Sequence, residues 1–351
     1  MKSKKKVVIY NLETDKNSLV LGSGIFWLQA FSEEFEDVRV YSIHVGEYEL
    51  PRNVSVFEIG GGSFLKRLMG FARLIFSVVK VFPNRRTTVV FHHMSSRTAG
   101  SIGIFYFLLG VPQGLWYSHS HADCYLKFSA KFIKYFFTPT RNSFPLRSNK
   151  IVCTGHGIPT AEFKVKSYIP RSGVVSIGRI ARIKNLEAGI EAINQSNLEK
   201  KSLHLYGQAT PGDNYLEELI KFAKTKGVEI ECHGALSYHL LPQEFQKYSI
   251  VFSGTPKSTD KALLEGAASG CFPLTTNQDA DKLTGMAEVW EDLGVNPNDN
   301  LGFKLSILSK LPHNVESRLR LAISEATCSS CDVKITVKRI SDVLKGEVPH
   351  I

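Results

Sequence analysis

The sequence predicts an α/β protein of two doubly wound, Rossmann-like domains that face a cleft, and three observations predict it. Short β-branched or apolar runs alternate with helix-length segments along almost the whole chain, the rhythm of βαβ units and a mostly parallel sheet. That rhythm breaks at residues 156–172, HGIPTAEFKVKSYIPRS, where two prolines fall and no apolar period shows, and then it restarts. The chain has 351 residues, too many for one small core and suited to two domains of ~150 residues or more.

In the first half VVIY, VRVYSI, VSVFEI, TTVVFHH, GLWYSH and KIVCTG read as strands. The segments IFWLQAFSEEF, SFLKRLMGFARLIFSVV, TAGSIGIFYFLL and CYLKFSAKFIKYF read as the helices between them. In the second half GVVSIGR, SLHLYG, VEIECHG, SIVFSG and CFPLTTN are strands, with LEAGIEAINQS, NYLEELIKFAKTKG, LPQEFQKY and KALLEGAASG as helices. After Asn277 the periodicity weakens, and VKITVKRISDVLKG reads as one last amphipathic helix. The expected division is an N-terminal domain over 1–165, a C-terminal domain over 166–335, and a terminal helix over 336–351 that packs back on the first domain. Two such domains bind a ligand outside the carboxyl ends of their strands.

Composition narrows the class. With 43% hydrophobic and 22% charged residues the chain is neither disordered nor a repeat array. Forty-three Lys and Arg against 33 Asp and Glu give a net charge of +10, which favours phosphorylated ligands or an anionic surface. No RNP-type aromatic pattern, zinc knuckle or helix-turn-helix accompanies that charge, so no nucleic-acid partner is expected. The basic start MKSKKKVVIY leads straight into polar NLETDKN, unlike a signal peptide, and a cytoplasmic location is expected. The longest apolar stretches, 70–82 and 101–111, fall short of the ~20 residues that span a bilayer. The six cysteines are scattered and fit reduced thiols; Cys328 and Cys331 have C-x-x-C spacing but no second pair to complete a metal site.

Three places in the second half carry chemistry. In SIGRIARIKNLEAGIEAI a strand ends at Gly178, Arg179 and Lys184 follow, and a helix begins near Asn185; cations beside free helix amides suit a diphosphate. In SGTPKSTDKALLEGAASGCFPLTTN a small-residue loop enters a helix that carries Glu265, a carboxylate able to accept both hydroxyls of a ribose. The glycine-ended strands LHLYG, at Gly207, and ECHG, at Gly234, let backbone approach a planar ligand, though glycine also simply ends strands.

Together the runs GRIARIKN, CHGALS and LLEGAASGCFPL resemble family 4 of the retaining glycosyltransferases, proteins of the two-domain GT-B type. WYSHSHADCYLK, FFTPTRNSFPL and KIVCTGHGIP in the first half add to the likeness, which runs from about Val89 to Asn277. The resemblance implies that Arg179 and Lys184 hold the diphosphate of a nucleotide-sugar donor and that Glu265 holds its ribose. It implies a donor contact for Gly178, Gly207, Gly234, Ala235 and Leu264, and a place for His119 near the transferred sugar. Gly22, Ser23 and Gly24 follow the first strand, where the family keeps a glycine loop. Retention at the anomeric carbon, no metal, no cofactor beyond the donor, and a glycan or lipid-linked acceptor complete the expectation. One departure stands out: eight residues before Glu265, where the family has the first acid of its E-x7-E pattern, this chain has Lys257. The loop reads KSTDK, close to an S-x-D-K-x-x-L-E variant of the family, and two readings of it stay open: Lys261 adds phosphate charge, or Asp260 merely caps the helix.

A competing reading is a dinuclear zinc hydrolase. His119, His121 and Asp123 in HSHAD have H-x-H-x-D spacing and His92 and His93 precede them, but Cys124 stands where such hydrolases place a further histidine. A membrane contact is also expected, because FLKRLMGFARLIFSVVKVFPNRR interleaves Lys66, Arg67, Arg73, Lys80, Arg85 and Arg86 with apolar residues, and CYLKFSAKFIKYFF does the same with Lys127, Lys131 and Lys134. Such helices suit the anionic inner face of a cell membrane.

Overall fold

The computed structural model describes residues 6–61, 63–165 and 171–347. Residues 166–170 of the expected linker, and the basic start over 1–5, lie outside the described residues. The chain divides into two compact units, one of residues up to Gly157 together with Val333 onward, the other Ile158–Asp332.

The first unit runs β1 (Lys6–Thr14), α1 (Gly24–Glu34), β2 (Val38–Val45), β3 (Val54–Glu58), α2 (Phe64–Val81), β4 (Thr88–His93), α3 (Ser96–Leu108), β5 (Gln113–Trp116), α4 (Cys124–Ser129), β6 (Tyr135–Thr138) and β7 (Ile151–Cys153). These strands form a seven-stranded sheet in the order β3-β2-β1-β4-β5-β6-β7, parallel throughout. Strands buried on both faces need continuous apolar runs, which is why VVIY and TVVF show no alternation. On one face Val7, Ile9 and Phe91 meet Trp27 and Phe31 of α1; on the other Val8, Tyr10 and Val90 meet Ile102 and Tyr106 of α3. Tyr10 is fully buried, and its hydroxyl is satisfied by Ser77 Oγ at 2.6 Å and Tyr106 Oη at 2.7 Å.

The expected long helix CYLKFSAKFIKYF is not one helix. α4 stops at Ser129, and the buried strand β6 begins at Tyr135, so the aromatic run YFFT is sheet core. The cations Lys127, Lys131 and Lys134 therefore do not share a helix face.

The second unit runs α5 (Thr160–Phe163), β8 (Val174–Ile177), α6 (Leu186–Gln195), β9 (Ser202–Tyr206), α7 (Tyr215–Thr225), β10 (Glu229–Gly234), α8 (Leu241–Phe245), β11 (Ile250–Ser253), α9 (Lys261–Ala268), β12 (Phe272–Thr275), α10 (Gln278–Thr284), α11 (Met286–Asp292), α12 (Leu301–Leu308) and α13 (His313–Cys331). The last helix, α14 (Val333–Lys345), returns to the first unit, where Val337, Ile340 and Leu344 pack into the core beside α1. The second sheet is five-stranded, parallel, in the order β10-β9-β8-β11-β12. In both sheets the order reverses beside the first strand, between β1 and β4 and between β8 and β11. In doubly wound sheets that is where a ligand crevice opens.

Helix α13 ties this unit together through a buried cation. Arg320 is 3% exposed; its guanidinium donates to the carbonyls of Ser249 (3.1 Å) and Gly270 (2.7 Å), pairs with Glu316 (2.6 Å) and lies over the Phe272 ring. Those carbonyls flank β11 and α9, so one side chain fixes the helix against both. Arg320→Ala strands the Gly270 carbonyl and takes away the arginine partner of Glu316 and of the Ser249 carbonyl, which keeps its bond from the Phe272 amide, and the expected loss is about 3 kcal/mol. Denaturant unfolding followed by circular dichroism checks it; a loss under ~1 kcal/mol contradicts this role for the arginine.

Candidate functional site

β8 ends at Ile177, Gly178 follows with φ +133°, and a short 3-10 turn over Arg182–Lys184 leads through left-handed Asn185 into α6. β11 ends at Ser253, and the loop GTPKSTD leads to Asp260, the N-cap of α9. The two turns lock together at the point where the strand order reverses. Lys184 Nζ meets Asp260 Oδ2 at 2.6 Å, and Ser253 Oγ donates to the same oxygen at 2.8 Å. Gly254 lies so close to the neighbouring turn that a Cβ there would sit 2.4 Å from the Asn185 carbonyl oxygen. Burial raises the Asp260 pKa, but the Lys184 ammonium, Ser253 and the Ala262 amide outweigh that and hold it below the ordinary aspartate value. Asp260 is thus both the helix cap and the partner that fixes Lys184.

One turn into α9, Glu265 is fully buried. Its Oε1 accepts from Tyr238 Oη at 2.6 Å and has the Lys261 ammonium at 3.7 Å. Its Oε2 is buried with no hydrogen-bond partner among the described residues. Burial drives its pKa above the ordinary value, only partly countered by Lys261 and Tyr238. Lys261 lies over the Tyr238 ring at 4.6 Å, so three side chains from the start of α9 and the turn before α8 form one cluster. The sequence reading missed Tyr238. It directly follows the CHGALS run, and its reach to Glu265, 27 positions on, is a tertiary contact with no local signature.

The strand ends of β8, β9 and β10 are cross-tied. Gly178 N donates to Tyr206 O and Gly207 N to Gly234 O, both at 2.8 Å. A Cβ at Gly207, whose φ is +151°, would lie 1.9 Å from the Gly178 carbonyl oxygen, so close backbone approach requires glycine there. Gly234, the last residue of β10, and Ala235 after it are exposed, and Arg179 and Lys257 are exposed residues of their loops. Leu264 is fully buried, so its side chain presents no surface to a ligand.

In the first unit, Ser23 is the N-cap residue of α1 with helical dihedrals and no side-chain cap bond, and Gly22 and Gly24 flank it. The amides of Gly24 and Ile25 turn back onto the carbonyls of Leu21 (2.8 Å) and Gly22 (3.4 Å). His119 is exposed with its ring beside Tyr117. Asp123 accepts from Ser96 Oγ (2.6 Å) and from the Leu126 amide (2.7 Å), capping α4. Among the described residues, the groups whose metal-ligating atoms converge do not include His119, His121 and Asp123. The HSHAD spacing is therefore realised as a loop and a helix cap.

The same chain trace recurs in solved structures of glycosyltransferases. HepE from Anabaena, in complex with UDP and glucose, matches with a TM-score of 0.70 at 14% identity, covering 97% of this chain and 100% of that one. This chain has the GT-B fold. A glycosyltransferase from Rickettsia africae matches with a TM-score of 0.70 at 11% identity over 97% of this chain and 98% of its own. WaaG, a glycosyltransferase involved in lipopolysaccharide biosynthesis, matches with a TM-score of 0.57 at 13% identity, covering 97% of this chain and all of that one. No family model and no curated protein sequence matches the chain. At these identities the likeness is one of fold.

Glu265 allows a pH test. Its folded pKa is raised, so its charge costs the folded state nothing below the unfolded pKa, and the cost grows as pH rises toward the folded value. Glu265→Gln should therefore gain thermal stability relative to the parent at pH 8, the gap closing toward pH 4. Melting curves across that range check it, and a variant less stable at pH 8 contradicts it.

Proposed function

We propose that this chain is a retaining glycosyltransferase that moves a sugar from a nucleoside-diphosphate sugar to a glycan or lipid-linked acceptor without a metal ion. The observation that carries the reading is the orphaned Oε2 of Glu265, a buried acceptor on the helix that Asp260 caps beside Lys184. Leaving a buried carboxylate oxygen unbonded costs ~1–3 kcal/mol, and a ligand hydroxyl removes that cost. The GT-B fold, which HepE, solved with UDP, shares, supports the same assignment.

In this scheme the diphosphate lies over Gly178, met by Arg179, by Lys184 and by the first amides of α9, with Lys261 adding charge from the helix start. Lys184 is held by Asp260, so the ammonium is positioned before the donor arrives and little reorganisation accompanies the reaction. Tyr238 occupies one oxygen of Glu265 and aims the other at a ribose hydroxyl. Half-buried Gly207 and exposed Gly234 and Ala235 flank the base. The bond from the anomeric carbon to the diphosphate breaks as positive charge develops on the sugar, and the cations stabilise the departing diphosphate. Lys257, on the loop before α9, is assigned to the sugar.

The acceptor assignment rests on α2. Phe64, Leu68, Phe71, Ile75, Val79 and Phe82 recur at steps of three and four along α2 and its exit, and each is more than half exposed. Phe64 is 79% and Leu65 69% exposed, while Lys66, Arg67, Arg73 and Lys80 flank the stripe. No described helix is long and apolar enough to cross a membrane. An exposed apolar stripe edged by cations fits the headgroup zone of an anionic leaflet, and peripheral attachment there places a lipid-linked acceptor within reach.

Two experiments test these assignments. In a thermal-shift panel of nucleoside diphosphates and nucleotide sugars, at least one should raise the melting point of the parent protein. Arg179→Ala and Glu265→Ala should lose that shift and His121→Ala should keep it; no shift with any compound overturns the donor assignment. The parent should cosediment with phosphatidylglycerol vesicles at low salt, and Phe64→Asp combined with Phe71→Asp should reduce the bound fraction by ~10-fold or more. Equal cosedimentation of parent and double variant rules out α2 as the attachment surface.

A further inference from the structure

A second cluster lies on the outer edge of the C-terminal sheet. His204 of β9 and Glu231 of β10 are register partners across two parallel strands, and His233, two residues on from Glu231 at an irregularity in the β9–β10 register, stacks its ring beside that of His204. Nδ1 of His204 is 3.0 Å from Nε2 of His233 and 3.3 Å from Oε2 of Glu231, and the three ligand atoms all lie within 4.8 Å of one another. A tetrahedral ion with bonds of ~2.0–2.1 Å holds its ligand atoms ~3.3 Å apart, so two of these separations are already near those of a coordination shell. We propose that His204, Glu231 and His233 bind a divalent transition-metal ion of the zinc class, with solvent in the remaining position.

Three features of the surroundings favour this. The ring of His233 stacks on Tyr206 at 4.5 Å and 13°, which fixes the direction of its nitrogen. Nε2 of His204, the nitrogen turned away from the cluster, has Ser202 Oγ at 3.5 Å, the position of an outer-shell partner that sets a ligand's tautomer. Lys200 occupies Oε1 of Glu231 at 2.8 Å and leaves Oε2 for the ion. That lysine also weakens attraction for a cation, so two neutral imidazoles must supply most of the affinity, which selects zinc, cobalt or nickel over magnesium or calcium. One imidazole is half-buried and the other exposed, so the ion has a path from solvent. The site lies on side chains of the β9–β10 face that the proposed donor contacts do not use, and the inference is independent of the glycosyltransferase reading.

The test uses the full chain, purified without a metal-affinity tag and stripped with chelator, titrated with Co²⁺ as a spectroscopic stand-in for zinc. One equivalent should give the visible absorption of a low-symmetry four- or five-coordinate cobalt, and zinc should displace it. His233→Ala, at an exposed position, and Glu231→Gln should each weaken binding at least ~10-fold with unchanged circular dichroism. His121→Ala and His44→Ala should bind as the parent does; the second belongs to another convergent group, Glu13, Asp15 and His44. No cobalt spectrum, or a spectrum that survives His233→Ala, overturns the proposal. Loss of binding in His121→Ala instead places the metal in the first unit and revives a hydrolase.

Discussion

Parallel strands carry a geometric constraint. Every strand in the second sheet ends at the same edge, so the turns after β8 and β11 must emerge side by side where the strand order reverses. There the chain has put a lysine on one turn and an aspartate on the other, bonded at 2.6 Å. The backbone contact between Gly254 and Asn185 holds the same two turns. The cap of α9, the setting of Glu265 and the orientation of Lys184 all depend on this one junction. Arg320 supports it from behind by fixing the segments that begin β11 and end α9.

The junction is also where the protein gives up stability. Glu265 is a buried carboxylate raised in pKa, with one oxygen unbonded, on a helix whose other residues are almost all core. Folding alone would favour an apolar side chain at that position. Arg320, by contrast, is a buried charge satisfied by two carbonyls and a glutamate, whereas Asp281 shares with Glu265 a raised pKa and a buried oxygen with no hydrogen-bond partner among the described residues. What sets Glu265 apart from Asp281 is its place on α9, beside Lys261 and the Lys184–Asp260 pair.

Much of this was legible in the sequence because parallel, doubly covered strands leave a strong trace. VVIY, TVVF and IVF are continuous apolar or β-branched runs, and all lie in strands. The two doubly wound domains and the strand-to-helix turns at Gly178 and before Glu265 followed from that rhythm, and the GT-B expectation from the resemblance of a few short motifs to a known family. Two kinds of feature were not legible. YFFT hid because it adjoins a lysine-rich helical stretch and aromatic runs fit either period, so packing decided. The helices after Asn277 hid because α10, α11 and α12 are seven or eight residues long and bury Asp281 and Lys304 among their apolar positions. Burial carries the Asp281 carboxyl up to about 7, which no local pattern signals. Tyr238 and the His204–Glu231–His233 group were invisible for a simpler reason: only the folded sheet brings them to their partners.

The second unit has one further property, a matter of topology. It is a single uninterrupted stretch, Ile158–Asp332, set within a first unit whose chain resumes at Val333. Its first and last residues pair with each other: Ile158 bridges Asp332 in parallel, the Ile158 amide donates to Cys331 O at 2.8 Å, and Thr160 bonds the Asp332 carboxylate. A stretch whose ends already meet has the layout of an inserted domain. Removing it would leave the first unit with two neighbouring ends to join, and the excised piece would carry its whole sheet, its helix clamp and its buried carboxylate. Such connectivity lets one half of a two-domain protein be exchanged or duplicated without rethreading the other, a modularity written into where the chain crosses.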